Sequence, residues 1–342
     1  MADLTVMGAG IFGLSIAFEA ARRGARVEVI DPAGPGDGAS GGLVGALAPH
    51  APDSGGALRE VQFAALCDAP GFWQAVEAAG GKPSGYGRIG RVQPLADAAA
   101  VARARARGES AVVAWHGRAV WRVRPVAGSW EPDIGSGLVV EDTLSARVHP
   151  RQACAALAAA VRALGGNIVP EGGISGPVIW ATGAAGLLDL SAALGWQVGG
   201  GEKGQALALA HDPGPVPMIQ APGLYIVPHA DGTVAVGSTS ERTFADPTAT
   251  DAQLDALHAR AVALCPALAG APIVARWAGE RPRTASRHPI LDAWPGRPGH
   301  FVANGGFKIG FGLAPWVGRI AVDLVLEGRD AVPEPFRLRP PR

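Results

Sequence analysis

The sequence predicts an α/β fold in which a Rossmann-like unit is joined to a second, mainly antiparallel β domain. Three observations carry this prediction. The chain opens with strand, glycine turn, helix and strand in succession, alternating strands begin near Gly85, and a second glycine-rich turn opens a helix near residue 310. A length of 342 residues leaves room for two domains with separate cores.

The first element, residues 5–31, has the pattern of a dinucleotide site. A short apolar strand enters a turn with GxGxxG spacing, formed by Gly8, Ala9, Gly10, Ile11, Phe12 and Gly13. In this motif Gly8 makes the tight turn, Gly10 lets the backbone approach a pyrophosphate, and Gly13 lets helix and strand pack closely. Asp31 ends the second strand, before Pro32, and is expected to accept hydrogen bonds from ribose hydroxyls, which disfavours NADP. The alternative is a glycine-rich turn in an ordinary βαβ unit.

The loop that follows, residues 32–50, is rich in both glycine and apolar residues. Ala39 and Ser40 offer small side chains and backbone N–H groups to a phosphate. The apolar run further on is expected to lie against an aromatic ring system, and consists of Val44, Gly45, Ala46 and Leu47. The alternative is a mobile loop.

The middle of the chain is predicted to mix helices and strands. Residues 57–79 have apolar positions at helical spacing interrupted at Pro70-Gly71, so two helical segments are expected. A helix is expected over 97–107 and a strand over 111–115. The buried strand at 178–180 runs into Ala-Thr-Gly, and small residues such as Thr182 and Gly183 let the backbone pass close to a cofactor.

A second glycine turn precedes the last predicted helix, 316–326, and contains a lysine. It comprises Gly306, Phe307, Lys308, Ile309, Gly310, Phe311 and Gly312. Backbone N–H groups at a helix start, together with a cation, indicate a site for an anion or a carbonyl oxygen. The alternative is a packing helix with a flexible entry.

Composition narrows the function classes. Lys plus Arg and Asp plus Glu both number 30, so the formal charge is zero and a nucleic-acid partner is not expected. The three cysteines are Cys67, Cys154 and Cys265, which show no CxxC spacing, so neither a disulfide framework nor a metal site is expected. No signal peptide or apolar run of membrane-spanning length is recognised, which favours a cytoplasmic location.

Taken together, these motifs resemble the family of flavin-dependent amine and amino-acid oxidases, the D-amino-acid oxidase superfamily, and within it most closely the glycine oxidases. The resemblance rests on the segments GAGIFG…VID, ASGGLVGALAP, VHPRQACAALAAAVRALGG, VIWATGAAG, GLYIVPHADGTVAVGSTSE, WAGERPRT…HPILD and GGFKIGFGLAP. It implies a two-domain fold with FAD. The FAD-binding domain would comprise residues 1–84, 145–195 and 271–342, and the substrate-binding domain residues 85–144 and 196–270.

The resemblance also implies how the cofactor is held. Covalently flavinylated members need a cysteine close to the C-terminal glycine turn, and no cysteine follows Cys265. FAD is therefore expected to bind without a covalent link. The segment between Gly166 and Val178 is much shorter than in relatives, where it covers the adenosine, so looser binding at that end is expected.

Three catalytic-site residues follow from the family's motifs. Its substrate-carboxylate arginine falls on Arg281, the tyrosine of its Tyr-Ile-Val-Pro strand on Tyr225, and an arginine near substrate and flavin on Lys308. A guanidinium can grip a carboxylate with two hydrogen bonds, whereas a lysine is a point charge. Arg283 replaces a glycine and adds a cation, which favours a more acidic substrate. The alternative for Arg281 and Arg283 is a salt-bridge cluster with Glu280 or Asp292.

The implied activity is oxidation of the C–N bond of a small amino acid or amine, with hydride transfer to flavin N5 and O2 or another electron acceptor. Three alternatives remain open: a dehydrogenase of a secondary amine or imino acid, a tRNA-modifying oxidoreductase, and a flavin-binding subunit without turnover of its own. Association into a homo-oligomer also stays open.

Overall fold

The computed structural model describes residues 1–132 and 134–340. Its strands, in chain order, are β1 (Leu4–Met7), β2 (Val27–Ile30), β3 (Ala46–Leu47), β4 (Arg91–Pro94), β5 (Trp121–Pro125), β6 (Leu138–Asp142), β7 (Ala146–Arg147), β8 (Asn167–Val169), β9 (Val178–Trp180), β10 (Gly199–Ala210), β11 (Met218–Ala221), β12 (Leu224–Pro228), β13 (Thr233–Gly237), β14 (Ile273–Thr284), β15 (Ile290–Ala293) and β16 (His300–Asn304). Its α-helices are α1 (Ile11–Arg22), α2 (Ala57–Gly80), α3 (Ala98–Ala114), α4 (Pro150–Ala163), α5 (Gly183–Leu194), α6 (Ala252–Leu264) and α7 (Gly310–Leu326).

A six-stranded sheet with the order β15-β16-β9-β1-β2-β8 forms the Rossmann-like unit. Its strands are parallel except for β15, which pairs antiparallel with β16 at one edge. The central strand β1 buries Leu4 and Val6 completely, and helices α1, α4 and α7 contribute to the same core. Parallel strands that are covered by helices appear in the sequence as continuous runs of apolar residues. This pattern made the unit predictable from residues 5–31.

A second sheet of eight strands, with the order β14-β10-β13-β12-β11-β4-β6-β5, is antiparallel apart from the β11–β4 pair. The predicted mixture of a Rossmann-like sheet and an antiparallel β sheet is confirmed. Strand β14 pairs with β10 over most of its length. Residues 273–284 therefore belong to the second sheet, although the predicted range 271–342 assigned them to the FAD-binding domain.

The predicted break at Pro70-Gly71 is wrong, because α2 runs through both residues. Proline in a helix interior frees the carbonyl four residues earlier, here that of Leu66. The Arg88 guanidinium donates to this carbonyl. Pro70 itself lies on the exposed side of the helix, where its ring displaces no core contact.

Two further predictions on helices need correction. Residues 111–114 continue α3 instead of forming a strand, since Val112 and Val113 are 71% and 75% exposed and find no sheet to pack on. Helix α7 begins at Gly310, earlier than the predicted start at residue 316, because the Leu313 N–H already bonds the Ile309 carbonyl at 3.0 Å. The last part of the second glycine turn is thus the first turn of this helix.

The short segment after β8 returns directly to the Rossmann-like sheet. The Thr5 hydroxyl donates to the Ser175 carbonyl at 2.7 Å, and the Ser175 N–H donates back to the Thr5 hydroxyl at 3.1 Å. The chain therefore closes against β1. Looser binding of the adenosine end stays a prediction.

Within residues 1–132 and 134–340, no helix is long and apolar enough to span a bilayer. The same residues contain no cluster of three or more His, Cys, Asp or Glu side chains placed to bind a metal ion.

His229 links the second sheet to the glycine-rich loop and gives a testable pH effect. It is 4% exposed, and its Nε2 lies 2.9 Å from the Leu43 carbonyl. Burial lowers the pKa of His229 to about 4, with the neighbouring His149 acting in the same direction and Asp231 opposing it. Between pH of about 6.5 and 4 the unfolded chain binds the proton and the folded chain does not, so acidification favours unfolding.

Acidification over this range lowers the unfolding free energy of the wild type. Because His229→Gln lacks the titrating group, we expect its unfolding free energy to fall by roughly 3 kcal/mol less than that of the wild type. Denaturant unfolding measured across that range checks the prediction. His116→Gln, at an exposed histidine, serves as the matched control. Identical pH profiles for the wild type and His229→Gln would show that another group titrates on unfolding.

Candidate functional site

A cavity of about 910 Å³, here called the central cavity, lies between the two sheets. The carboxyl ends of β1, β9 and β16 meet on one side of it, which is where open α/β sheets bind ligands. One face of the second sheet forms the other side, through residues of β10, β12, β13 and β14. The cavity therefore joins the two units at the position expected for a cofactor and its reaction partner.

The GxGxxG turn forms one end of the central cavity. Gly8 has φ +103°, and a Cβ there would stand 2.5 Å from the Ala181 carbonyl oxygen at the end of β9. Gly13 packs so closely on the turn that a Cβ would lie 1.9 Å from the Gly8 carbonyl oxygen. Helix α1 points its N-terminus at the cavity, and its Ile11 N–H donates to the Ser40 hydroxyl at 3.0 Å. This end has the shape and polarity of an anion cradle.

Asp31 is held rigidly beside this turn. Its carboxylate accepts from the Ala9 N–H at 2.7 Å and from the Ala33 N–H at 3.0 Å. Each carboxylate oxygen can accept more than one hydrogen bond, so acceptor capacity towards the cavity remains.

The glycine-rich loop is fixed along the cavity wall. Ala46 and Leu47 form β3, which pairs with β7, and the Val148 N–H bonds the Gly45 carbonyl at 2.9 Å. Val44 contacts the second sheet at Gly237, where a Cβ would come within 2.7 Å of the Val44 side chain. The loop thus presents an ordered apolar surface to the cavity.

At the opposite end, the ring of Phe307 in the second glycine turn lies among three cations, two from β14 and one from the turn itself. The Phe307 ring centroid lies 5.4 Å from the Arg281 guanidinium, 5.6 Å from that of Arg283 and 5.3 Å from Lys308 Nζ. Phe307 has φ +43° and is fixed by a hydrogen bond from its N–H to the Pro282 carbonyl at 3.1 Å. The ring offsets part of the repulsion among the cations.

Arg281 lies on β14 and is 8% exposed. Most of its N–H groups already donate hydrogen bonds to other residues of the protein. Its Nη1 donates to the Ser238 hydroxyl at 2.6 Å, and its Nη2 donates to the Thr239 carbonyl at 2.7 Å and the Lys203 carbonyl at 3.1 Å. The buried Nε–H has no partner among the described residues. Burial lowers the pKa of Arg281 to about 10, so the group stays charged at neutral pH.

Arg283 has a carboxylate partner, Glu202, at 3.4 Å. The salt-bridge alternative had named Glu280 or Asp292 as partners; Asp292 instead pairs with Arg337. Glu202 also lies near Arg281 and favours its charged form.

Lys308 and Tyr225 complete this end of the cavity. Partial burial and the charge of Arg281 lower the pKa of Lys308. Burial raises the pKa of the Tyr225 phenol, which therefore remains protonated at neutral pH. Tyr225 is on β12 with Gln220 and Gly237 as its neighbours across the sheet.

Nearly all residues that the sequence predicted for the cofactor and substrate sites line the central cavity. Two predicted cofactor residues, Ala9 and Gly13, lie behind the lining, where they shape the turn. Sequence reasoning missed several residues that do line it, namely Gln62, Ala206, Gln220, Gly237, Ser238, Trp277, Glu280 and Asn304. Asn304 ends β16 and donates from Nδ2 to the Gly183 carbonyl at 2.9 Å, a strand-end polar residue that pattern reasoning could have found.

The volume of the cavity, its glycine-lined anion cradle and its apolar middle fit a dinucleotide with a planar ring system. A family model described as DAO, FAD dependent oxidoreductase, matches residues 3–324. The chain belongs to the DAO family. Its cofactor is FAD, and the chain is an enzyme of the oxidoreductase class.

Individual members of the DAO family are also similar. Glycine oxidase from Pseudomonas putida is 38% identical over 123 residues, which is 36% of this chain and 33% of that protein. The chain thus matches about a third of the length of this curated relative.

Solved structures agree over the whole length. The crystal structure of glycine oxidase from Geobacillus kaustophilus superposes with a TM-score of 0.86 at 25% identity, covering 99% of this chain and 98% of that one. Iminodiacetate oxidase from Chelativorans sp. BNC1 superposes with a TM-score of 0.83 at 24% identity, covering 98% of both chains, which supports the fold.

Proposed function

We propose that this enzyme oxidises the C–N bond of a small amino acid or related amine that carries a carboxylate. The observation that carries the proposal is the buried Arg281, whose Nε–H lacks a partner among the described residues beside the central cavity. A buried donor without a partner costs free energy, and a bound carboxylate would satisfy it.

The residues around Arg281 would orient such a substrate. The contacts to Ser238, Thr239 and Lys203 fix the guanidinium before substrate arrives, so little reorganisation is needed on binding. Lys308 adds positive potential, and the protonated Tyr225 phenol is a donor on the same side. Both Nη2 hydrogens are taken by Thr239 and Lys203, and the remaining Nε–H and second Nη1–H point to opposite sides of the guanidinium. A carboxylate at Nε–H would therefore make a single hydrogen bond to this side chain and would not use a paired edge.

The cofactor residues have separate roles. The Asp31 carboxylate would accept from the ribose, the turn from Gly8 to Gly13 would face the pyrophosphate, and the run from Val44 to Leu47 would lie against the isoalloxazine. When bound, FAD would accept a hydride, one proton with two electrons, from the substrate Cα, while the amine nitrogen loses a proton to solvent and the resulting imine is hydrolysed by water. The N-terminus of α7 and Lys308 would stabilise negative charge that develops at their end of the cavity.

A substrate and acceptor screen tests this function. Holoenzyme is mixed in air with glycine, N-methylglycine, proline and both enantiomers of alanine, and peroxide is measured. The same substrates are then offered without oxygen but with an artificial quinone acceptor. Peroxide formation supports an oxidase, turnover with quinone alone supports the dehydrogenase alternative, and no turnover with either acceptor contradicts the proposal.

Lys308 gives a pH prediction for the same site. A lowered pKa means that Lys308 loses its proton at a lower pH than an ordinary lysine, and the neutral amine no longer attracts a carboxylate. We expect the affinity for a non-reacting carboxylate such as acetate to fall by up to about tenfold over the first pH unit above that pKa, and then to level off at the affinity that Arg281 supplies. In Lys308→Arg the fall should move to higher pH, since a guanidinium stays charged.

Perturbation of the flavin absorbance by acetate measures this affinity across the pH range. Lys82→Arg, at an exposed lysine outside the cavity, is the matched control and should leave the profile unchanged. A profile that is the same in Lys308→Arg and the wild type would remove Lys308 from carboxylate binding.

A further inference from the structure

A second cavity of about 300 Å³, here called the side cavity, adjoins the central cavity next to Tyr225. Five residues line both volumes, so they share a wall: Ala48, Gln62, Gln220, Tyr225 and Ile309. The side cavity therefore lies directly beside the place where the proposed substrate lies, on the side away from the GxGxxG turn.

Strand register explains the polar character of the side cavity. Tyr225 pairs with Gln220 on β11, and β11 runs parallel to β4 with Met218 opposite Arg91. Because side chains two residues apart share a face, Gln220, Arg91 and Gln93 project on the same side of the sheet as Tyr225. The substrate-facing surface thus continues as a row of polar side chains.

Arg91 is the fixed centre of this row. It is 3% exposed, its Nε donates to the Asp142 carboxylate at 2.7 Å, and its Nη1 donates to Gln220 Oε1 at 2.6 Å. The Asp142 partner, which is fully buried, balances the charge. Since Gln220 Oε1 is taken by Arg91, the Gln220 amide presents Nε2, a donor, elsewhere.

Gln93 supplies the observation that points to a ligand. Its Nε2 is buried and has no hydrogen-bond partner among the described residues, although Gln93 lines the side cavity. By contrast, Gln62 on the shared wall is satisfied, because it accepts from the His50 N–H at 2.8 Å and donates to the Ala48 carbonyl at 3.0 Å. None of the described residues that line the side cavity is acidic.

We propose that the side cavity is a distal substrate subsite for a group rich in oxygen acceptors, a carboxylate or a carboxamide. The inference rests on the proposed function, since it extends the substrate from the carboxylate at Arg281 past Tyr225. The available groups are donors from Gln93, Gln220 and Arg91, so an acceptor satisfies them where an alkyl group leaves them unpaired. The preferred substrates are then amino acids or amines with an acceptor at the far end.

Binding of non-reacting acids to holoenzyme tests the subsite without requiring turnover. Butyrate and valerate are compared with succinate, glutarate and the monoamides of these two diacids, with affinity read from the flavin absorbance. We expect the diacids or monoamides to bind at least about tenfold more tightly than the monoacids. Gln93→Leu should remove this preference, and Gln93→Glu, which replaces the donor by a carboxylate, should weaken binding of the diacids specifically.

Gln74→Leu makes the same chemical change at an exposed position of α2 and should keep the preference. Equal affinities across the series in the wild type, or an unchanged preference in both Gln93 variants, would overturn the subsite. A uniform loss of affinity for every acid in Gln93→Leu would also overturn it. That result would mean that Gln93 affects the access of all acids and does not recognise the distal acceptor group. If the preference holds while no amine reduces the flavin, the proposed function fails and the acceptor subsite stands.

Discussion

Replacing Arg281 with methionine is expected to raise the dissociation constant of a carboxylate substrate by about thirtyfold or more. Removing one partner of a buried, charge-assisted hydrogen bond costs about 2–5 kcal/mol, which corresponds to a loss of this size. Anaerobic reduction of the flavin at increasing substrate concentration gives the affinity and the limiting rate separately. Arg281→Lys keeps the charge but loses the planar donor geometry, so an intermediate loss is expected.

Arg281 also ties β14 to the residues that follow β13, through Ser238 and Thr239. The methionine variant is therefore expected to lose stability as well as affinity, and its FAD content and unfolding transition need to be measured beside the kinetics. Arg276→Met is the matched control, since Arg276 lies on the same strand and pairs with Asp255 at the surface. A folded, FAD-loaded Arg281→Met with wild-type substrate affinity would show that carboxylates bind elsewhere.

The second large effect is expected at Asp31. Asp31→Ala removes the acceptor for the Ala9 and Ala33 N–H groups and the proposed acceptor for the ribose. Hydrogen bonds to a charged group contribute about 1.5–3 kcal/mol each, so we expect FAD affinity to fall by about a hundredfold. Fluorescence titration of the apoprotein with FAD measures this affinity.

Asp31→Glu keeps the carboxylate and should recover part of the affinity. Glu28→Ala, on the strand β2 that precedes Asp31 but away from the cavity, should leave FAD binding unchanged. If Asp31→Ala binds FAD as tightly as the wild type, the carboxylate has only the structural role of holding the Ala9 turn.

Residues 5–31 were predictable because their signals are local. The GxGxxG spacing, the acid at the strand end and the apolar periodicity of α1 all lie within one short stretch, and each element of that stretch forms with its expected role in the fold. Gly8 illustrates this, since its left-handed backbone and its approach to Ala181 both require a glycine.

Elements that depend on distant partners were not predictable. Helix α2 continues through Pro70 because the guanidinium of Arg88, which lies beyond the helix in the sequence, donates a hydrogen bond to the released Leu66 carbonyl. Strand β14 joins the second sheet through register with β10, which motif reasoning on residues 277–284 does not contain. In both cases tertiary contacts override a local signal.

The residues of the candidate site also fall into two groups, those that local motifs predicted and those that only strand pairing brings together. Arg281, Tyr225 and Lys308 were found through their motifs, and the cavity brings them together. Gln93 and Gln220 have no motif, because only the pairing of β4 with β11 and of β11 with β12 places them next to Tyr225. The row of polar side chains that contains Gln93 and Gln220 therefore follows from the fold and could not be predicted from the sequence.

Anaerobic titration of the yellow holoenzyme with small amino acids and amines tests the central claim most directly. We expect at least one of them to bleach the visible flavin band, with release of the corresponding oxo acid or aldehyde, and expect the Arg281→Met variant to require a far higher concentration. A flavin that stays oxidised with every amino acid and amine, in a protein that binds FAD normally, would contradict the account.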